Sequence, residues 1–348
     1  MSTAHPSFLV IRRDNIGDLV CTTPLIRALR EHFPAARLCA LVNNYNRPVL
    51  EGNPDIDEIF AYTKAKHRPA GQSLVGVYRD RLRTLLRLRT MRFDHAILAA
   101  PGFQPRSLTL AKLAAPHHII GFTEAGERAS RSIDLGVPYA PNATLHEAED
   151  VFRLLGVLGI AGTPPPARVV PTAGHRPLPS PPPGALRIGI HVSARKPSQR
   201  WPEARFIELM RRLHRESGGG FLLFWAPGDE TNPLHPGDDA KARRIADALP
   251  DVPLLPYPTR RLEDLIAGLA ACDAVICSDG GAMHLAAGLG KPILCFFGQS
   301  DATRWRPWSV PHIVLQPESR EVEDVTVEEA QAAFARLLRV GGRASEPL

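Results

Sequence analysis

DAVICSDGGAMHLAAGLGKPILCFF, residues 273–297, contains a complete strand–turn–helix–strand unit. DAVIC (273–277) is an apolar run of strand length, and two adjacent glycines, Gly280 and Gly281, break it. Residues 282–289 have the composition of a helix, Gly290 and Pro292 stop it, and 292–297 is apolar again. Two strands joined through a helix run parallel, and strands this apolar are covered on both faces.

The same alternation extends upstream. LRIGIHV (186–192) and GFLLFW (220–225) read as strands, with helices at 203–215, 239–249 and 261–271 and a last helix near 327–339. The first half repeats the scheme. Its strands are SFLVIRR (7–13), RLCALVN (37–43), Asp57–Tyr62, DHAILAA (94–100) and HHIIGF (117–122). A helix is predicted over Leu19–Phe33, with Pro24 early in it or kinking it. A short one runs from Pro48 to Glu51, and Val77–Met91 is basic, with Leu82, Leu85 and Leu86 set among five arginines. Ala148–Leu158 is helical and ends at Gly159. Between the halves lies AGTPPPARVVPTAGHRPLPSPPPGA (161–185), where proline this dense predicts a semi-rigid connector.

The fold class is therefore α/β, with two Rossmann-like doubly wound domains. The predicted boundaries are 1–160 for the first domain, 161–185 for the linker, 186–325 for the second domain and 326–348 for a closing helix and tail. Such sheets bind ligands at the carboxyl ends of their strands, and a pair of them also in the cleft between domains. The 348 residues suffice for two cores. Hydrophobic residues are 44% and charged residues 22%, ordinary globular usage that excludes a disordered chain. No apolar run reaches the ~18 residues of a membrane span. MSTAHPSFLVIRRDN lacks the pattern of a secretory signal, which predicts a cytoplasmic chain.

The net charge is +6, and only six of the 42 basic residues are lysine. No zinc-finger, RNP or helix-turn-helix pattern accompanies that surplus, so nucleic acid is not an expected partner. The five cysteines form no CxxC pair, which argues against a disulfide framework or a zinc site.

Four segments carry chemistry. The first is Arg12-Arg13-Asp14-Asn15-Ile16-Gly17-Asp18, where the first strand turns into a helix. Asp18 has two readings, a helix N-cap or a general base facing the cleft. A helix N-terminus favours the charged carboxylate and so weakens a base. The second is Ser278-Asp279-Gly280-Gly281-Ala282-Met283-His284, whose first-turn N–H groups suit an anion such as a diphosphate, with His284 able to donate to a phosphate oxygen. It also reads as a plain turn with a buried histidine. The third is His191 to Pro202, HVSARKPSQRWP, a loop with hydroxyls, two arginines and a lysine. It reads as a phosphate cover or as a solvated basic loop. The fourth is Gly228-Asp229-Glu230, where a carboxylate meets ribose hydroxyls or a turn meets solvent. Neither GxGxxG nor GxxxxGK[ST] occurs, which argues against NAD and P-loop nucleotides.

Taken together, in this order and on these elements, the four segments resemble glycosyltransferase family nine, the bacterial heptosyltransferases of GT-B fold. The matching pieces are R-x-D-x-I-G-D-x-x-x-T-T-P (Arg12 to Pro24), H-x-S…R-W-P (His191 to Pro202), G-D-E (Gly228 to Glu230) and S-D-G-G-A-M-H-L-A (Ser278 to Ala286). The resemblance implies inverting, metal-independent transfer of a heptose from ADP-heptose to a lipopolysaccharide core, with no cofactor and with the closing helix packed back toward the first domain. It implies Asp18 as the base. Asp279, Gly280, Gly281 and His284 would hold the donor diphosphate, with Ser193, Arg195, Lys196 and Arg200 beside it and Glu230 on the ribose. An anionic glycolipid acceptor fits Arg12, Arg13, Asn15 and the basic segment 62–92, which could also touch the cytoplasmic face of the inner membrane. Two departures stand out: Gln199 takes the place of the family's usual lysine, and Gly280 that of a common threonine. Three alternatives remain: a different donor or acceptor, a nucleotide-sugar 2-epimerase, and a non-catalytic binder.

Overall fold

The apolar runs of each half assemble into a six-stranded, all-parallel sheet. The computed structural model describes residues 5–63, 74–172, 185–231 and 237–343. It divides into two compact units, Met1–Val170 and Pro171–Leu348.

The first unit holds β1 (Ser7–Ile11), α1 (Ile16–Val20), α2 (Thr23–His32), β2 (Arg37–Asn43), β3 (Glu58–Tyr62) and α3 (Leu74–Thr90). It continues with β4 (His95–Leu98), α4 (Pro105–Ala114), β5 (His118–Thr123), β6 (Leu135–Pro138) and α5 (Glu147–Phe152). Its strand order is β3-β2-β1-β4-β5-β6. The second unit holds β7 (Arg187–His191), α6 (Glu203–Ser217), β8 (Gly220–Trp225), α7 (Asp239–Asp247), β9 (Leu254–Pro258), α8 (Leu262–Ala270) and β10 (Ala274–Ser278). After these come α9 (Gly281–Gly288), β11 (Ile293–Phe296), α10 (Ala302–Trp305), β12 (His312–Leu315) and α11 (Val327–Arg343). Its order, β12-β11-β10-β7-β8-β9, is the same topology repeated. Strand order reverses between β1 and β4, and again between β7 and β10. Those switch points are where open α/β sheets bind ligands.

The central strands are buried along almost their whole length, and amphipathic helices cover them. On α6, Phe206, Leu209, Met210 and Leu213 recur at helical spacing and enter a core with Trp201, Ile190 and Phe296. The buried face of α11, Ala330, Ala333, Phe334 and Leu337, joins that same core, and the helix packs on α6, β11 and β12 of its own unit. The five cysteines are buried and form no disulfide. Burial pushes the thiols of Cys39, Cys272, Cys277 and Cys295 up, Cys39 to about 11 and Cys272 to about 12, as befits small core residues.

Several boundaries differ from the sequence expectation. The predicted helix Leu19–Phe33 is two helices, broken at Cys21 and Thr22. The Thr22 hydroxyl donates to the Asp18 carbonyl (2.9 Å) and that of Thr23 to Val20 (2.7 Å), so the threonines take up carbonyls that α1 leaves unpaired. Pro24 then sits in the first turn of α2, where no N–H is needed. The helix expected at Pro48–Glu51 is a 3-10 turn over Asn44–Val49, and Ala148–Leu158 divides into α5 and a 3-10 turn ending at Gly159.

The proline-rich segment is not a connector throughout. Arg168 Nη1 donates to both oxygens of Asp55 (2.9 and 3.0 Å), its backbone N–H donates to Thr23 Oγ1 (3.0 Å), and Ala167 and Val169 are buried in the first unit. Residues 173–184 of the segment, 64–73 of the basic stretch and 344–348 of the tail lie outside the described residues.

Candidate active site

In the first unit the switch point is built around Arg12, which follows β1 and is only 2% exposed. Its Nη1 donates to the Ala99 carbonyl after β4 (2.6 Å). Its Nη2 donates to both Asp18 Oδ1 (3.0 Å) and Glu147 Oε1 (2.8 Å). Its Nε lies 3.0 Å from Asp14 Oδ2, an ion pair without hydrogen-bond alignment. Burial alone would push this guanidinium down. Glu147, then Asp18 and Asp14, outweigh it and hold Arg12 above its ordinary value. The expectation that Arg12 meets an acceptor is corrected: a buried cation with this many internal partners organises the site from within.

Asp18 is not an N-cap. Asn15 is the cap of α1, and Asp18 stands three residues into the helix, its Oδ2 accepting from the Asn15 backbone N–H (2.8 Å) and side-chain amide (3.1 Å). Its other oxygen takes Arg12, so both are oriented, while the side chain keeps 14% exposure. The loop is pinned from β2: the Asp14 carbonyl accepts from Tyr45 Oη (2.7 Å), from Asn46 (3.1 Å) and from Asn43, which also donates to the Arg13 carbonyl. Arg13 Nε donates to Tyr62 Oη (2.6 Å). Asn15 is exposed. Sequence reading missed Glu147, Asn43 and Asn46. Their signal was the polar end of a buried strand and a carboxylate opening a helix, both of which also read as ordinary caps.

In the second unit three loops meet at the β7/β10 switch point. After β10, Gly280 caps α9 with φ 156°, a backbone that L side chains rarely adopt, and nothing lies within 4 Å of where its Cβ would be. The first N–H groups of a helix have no partner within it, and here they open α9 beside Gly280 and Gly281. His284, on the same turn, is 4% exposed and meets the Trp305 ring edge-on at 5.9 Å. The Asp279 carboxylate accepts from Gln199 Nε2 at 2.6 Å, and the same nitrogen lies 2.8 Å from Ser300 Oγ after β11. Where the resemblance implies a cation, a neutral donor stands.

The loop after β7 carries the remaining candidates. Arg195, Lys196 and Arg200 are exposed; Lys196 Nζ lies 3.5 Å from Ser300 Oγ, and Arg200 Nε donates to the Ala194 carbonyl (3.1 Å). Ser193 gives its hydroxyl proton to Asp238 (2.5 Å) and accepts from the Ala226 N–H (2.9 Å). In this arrangement it offers a phosphate no donor, and its work is to fix the loop. Glu230 is 57% exposed and 3.9 Å from Arg244, at the described edge of its loop. Lys241, on α7, escaped the sequence reading. Its half-buried ammonium donates to the Val192 (3.0 Å) and Trp201 (3.2 Å) carbonyls, the two ends of the loop, and stands over the Phe206 ring at 5.2 Å. Burial pushes it down. Among the described residues no helix is long and apolar enough to cross a membrane.

Comparison with known proteins bears on these loops. A family model described as glycosyltransferase family 9 (heptosyltransferase) matches residues 81–331. Lipopolysaccharide heptosyltransferase 3 of Escherichia coli is 24% identical over 310 residues, covering 84% of each chain. Among solved structures, a glycosyl transferase family 9 protein from Veillonella parvula superposes with a TM-score of 0.77 at 19% identity, covering 98% of this chain and 99% of that one. E. coli heptosyltransferase WaaC with ADP gives 0.76 at 17%, covering 95% and 99%.

Proposed function

The chain belongs to glycosyltransferase family 9, the heptosyltransferases, and from that premise we propose that it moves a heptose from ADP-heptose to an anionic lipopolysaccharide-core acceptor, with inversion and without a metal or cofactor. The observation that carries the reading is a division of labour between the two switch points. A carboxylate held on both oxygens follows β1, and a Gly-Gly helix N-terminus follows β10. The first suits proton removal, the second a diphosphate.

In the reaction, Asp18 takes the proton of an acceptor hydroxyl as that oxygen attacks the anomeric carbon. The bond from that carbon to the ADP oxygen breaks, and the new bond forms on the opposite face. ADP leaves with the electron pair and an added negative charge, which the N–H groups after Gly280 and the basic loop of Arg195, Lys196 and Arg200 stabilise. His284 and Asp279 shape that turn, and Glu230 meets the ribose. The E. coli relative, a lipopolysaccharide heptosyltransferase, and the ADP in the WaaC structure support this donor and acceptor class.

For the acceptor side, Arg13 and Asn15 stand at the same loop as Asp18. On α3, Leu82 and Leu86 are 57% and 54% exposed, and Arg79 and Arg83 are exposed on the same face. That pattern supports peripheral contact with an anionic surface on the cytoplasmic side of the inner membrane. Equal sedimentation of wild type and an Arg79→Glu, Arg83→Glu chain with anionic vesicles would remove the membrane contact from the reading.

The deciding experiment measures nucleotide release from ADP-, UDP- and GDP-sugars, with and without heptose-deficient lipopolysaccharide. Release of ADP from ADP-heptose only when acceptor is present is expected. Asp18→Ala is expected to abolish it while ADP binding stays close to wild type. Conversion of donor without acceptor would replace transfer by epimerisation.

A further inference from the structure

Arg12 has one positive charge and three carboxylate neighbours: Glu147 at 2.8 Å, Asp18 at 3.0 Å and Asp14 at 3.0 Å. Glu147 is the nearest and, at 2% exposure, as deeply buried as Arg12 itself. It shares with Asp18 a single nitrogen, Nη2. This sharing answers a physical difficulty. A carboxylate paired with a buried arginine at the start of a helix is favoured in its charged form and binds a proton poorly. One guanidinium is shared among three carboxylates, so none of them has its whole charge.

We propose that Glu147 is a positioning residue acting through Arg12: by drawing off part of the guanidinium's charge, it lets Arg12 orient Asp18 without disarming it as a base. The inference rests on the reading of Asp18 as the proton acceptor. It does not restate that reading, because Glu147 is given no part in the proton transfer and acts on Arg12. The other charged groups near Asp18 are already engaged. Arg13 is bonded to Tyr62, and Arg47, from the 3-10 turn packed on α1, is paired with Glu51 at 3.2 Å. His146, ahead of Glu147, accepts from the Ala148 N–H at 3.0 Å.

The test is the pH profile of kcat/KM for the full chain with ADP-heptose and heptose-deficient lipopolysaccharide. Glu147→Gln keeps the shape and an acceptor for Arg12 but removes the charge. The acid limb is expected to move to lower pH by about one unit, with kcat down about tenfold at neutral pH and KM for ADP-heptose unchanged. A purely structural Glu147 would lower activity in proportion to the folded fraction and leave the limb in place, and that result overturns the proposal. Should Glu147→Gln not fold, Asp14→Asn at the exposed side of the same guanidinium is read instead, with a smaller displacement in the same direction. A second measurement needs no turnover. With aspartate labelled at the carboxyl carbon, and the Asp18 signal assigned by Asp18→Asn, that signal is expected to titrate at lower pH in Glu147→Gln than in wild type. A shift without any transfer by wild type would keep the charge sharing and discard the transferase chemistry; no shift would discard the sharing itself.

Discussion

Gln199 donates to Asp279 at 2.6 Å, and through the same nitrogen it reaches Ser300 at 2.8 Å. One buried amide thus ties together the loops that follow β7, β10 and β11. Gly298 packs in the same place: a Cβ there would lie 2.3 Å from the Ser198 carbonyl oxygen, so only glycine lets the two loops approach this closely. Gln199 holds Asp279 through a neutral amide beside the turn that opens α9. The amide fixes the orientation of that carboxylate.

The first prediction follows from that pair. Gln199→Ala leaves the Asp279 carboxylate without its donor, a loss of about 1.5 kcal/mol for a bond to a charged group. ADP affinity by titration calorimetry is expected to fall about tenfold. Gln199→Glu sets a second carboxylate at hydrogen-bond distance and is expected to weaken ADP further, whereas Gln199→Lys supplies a cation and should tighten it. Equal affinities across the three variants would remove the amide from the anion site.

Lys241 gives the second. Its half-buried ammonium is bonded to two carbonyls, Val192 and Trp201, nine positions apart. An apolar replacement of a buried ion pair can be neutral, because both charges go. Here the partners are backbone carbonyls that remain. Lys241→Met leaves both unsatisfied, and a net loss of about 2 kcal/mol is expected. Urea unfolding followed by tryptophan fluorescence measures it, and a midpoint equal to wild type would show that the carbonyls find other donors. Lys241→Arg should restore part of the loss.

Apart from β3, the strands that sequence reading located are the central ones, where both faces are buried and the apolar run is unbroken. The strands it missed are all at sheet edges: β6, β9 and β12. LGVP alternates between partly and fully exposed, HIVL is partly exposed throughout, and LLPYP carries two prolines that only an edge tolerates. The motifs were legible for a similar reason, since each begins at the carboxyl end of a strand already found. The wiring within them was not. That Asp18 belongs to a capping box depends on where α1 starts. That Ser193 serves Asp238 depends on a residue 45 positions away. Glu147 reaches Arg12 across 135 positions, a distance that no local pattern encodes.

His191 gives the third prediction, one of pH. It ends β7, and burial pushes its imidazole down to about 4, with Lys241 acting in the same direction against a hydrogen bond to the Ser193 backbone. In the unfolded chain it titrates near its ordinary 6.5. Between those values the unfolded state binds a proton that the folded state refuses, so stability falls as pH falls through the window and is unaffected above it. At pH 4.5 the loss is ~2.5 kcal/mol relative to neutral pH. Carboxylates titrate in the same range, so the comparison is with His191→Asn. The variant should lose less stability than wild type by about that amount between pH 7.5 and 4.5 in urea unfolding. Parallel losses would mean that the folded imidazole accepts the proton after all.

The last concerns the part of the proline-rich segment that is docked. Composition predicts that prolines stiffen residues 161–172, yet what attaches them is Arg168, paired with Asp55, with its backbone bonded to Thr23 and Asn53. Asp55 is 8% exposed, so removing its partner strands a nearly buried carboxylate, a cost of about 1–3 kcal/mol. The penalty falls on the attachment of the segment, because the sheet beneath does not depend on it. Arg168→Ala is therefore expected to speed subtilisin cleavage within 161–172 at least fivefold while the thermal midpoint moves by only a few degrees. Arg168→Lys, which keeps a charged donor on a differently shaped side chain, should fall between the two. If prolines alone held the segment, cleavage would be as slow in Arg168→Ala as in wild type. The Arg168–Asp55 pair would then be an ornament of the surface and not its anchor.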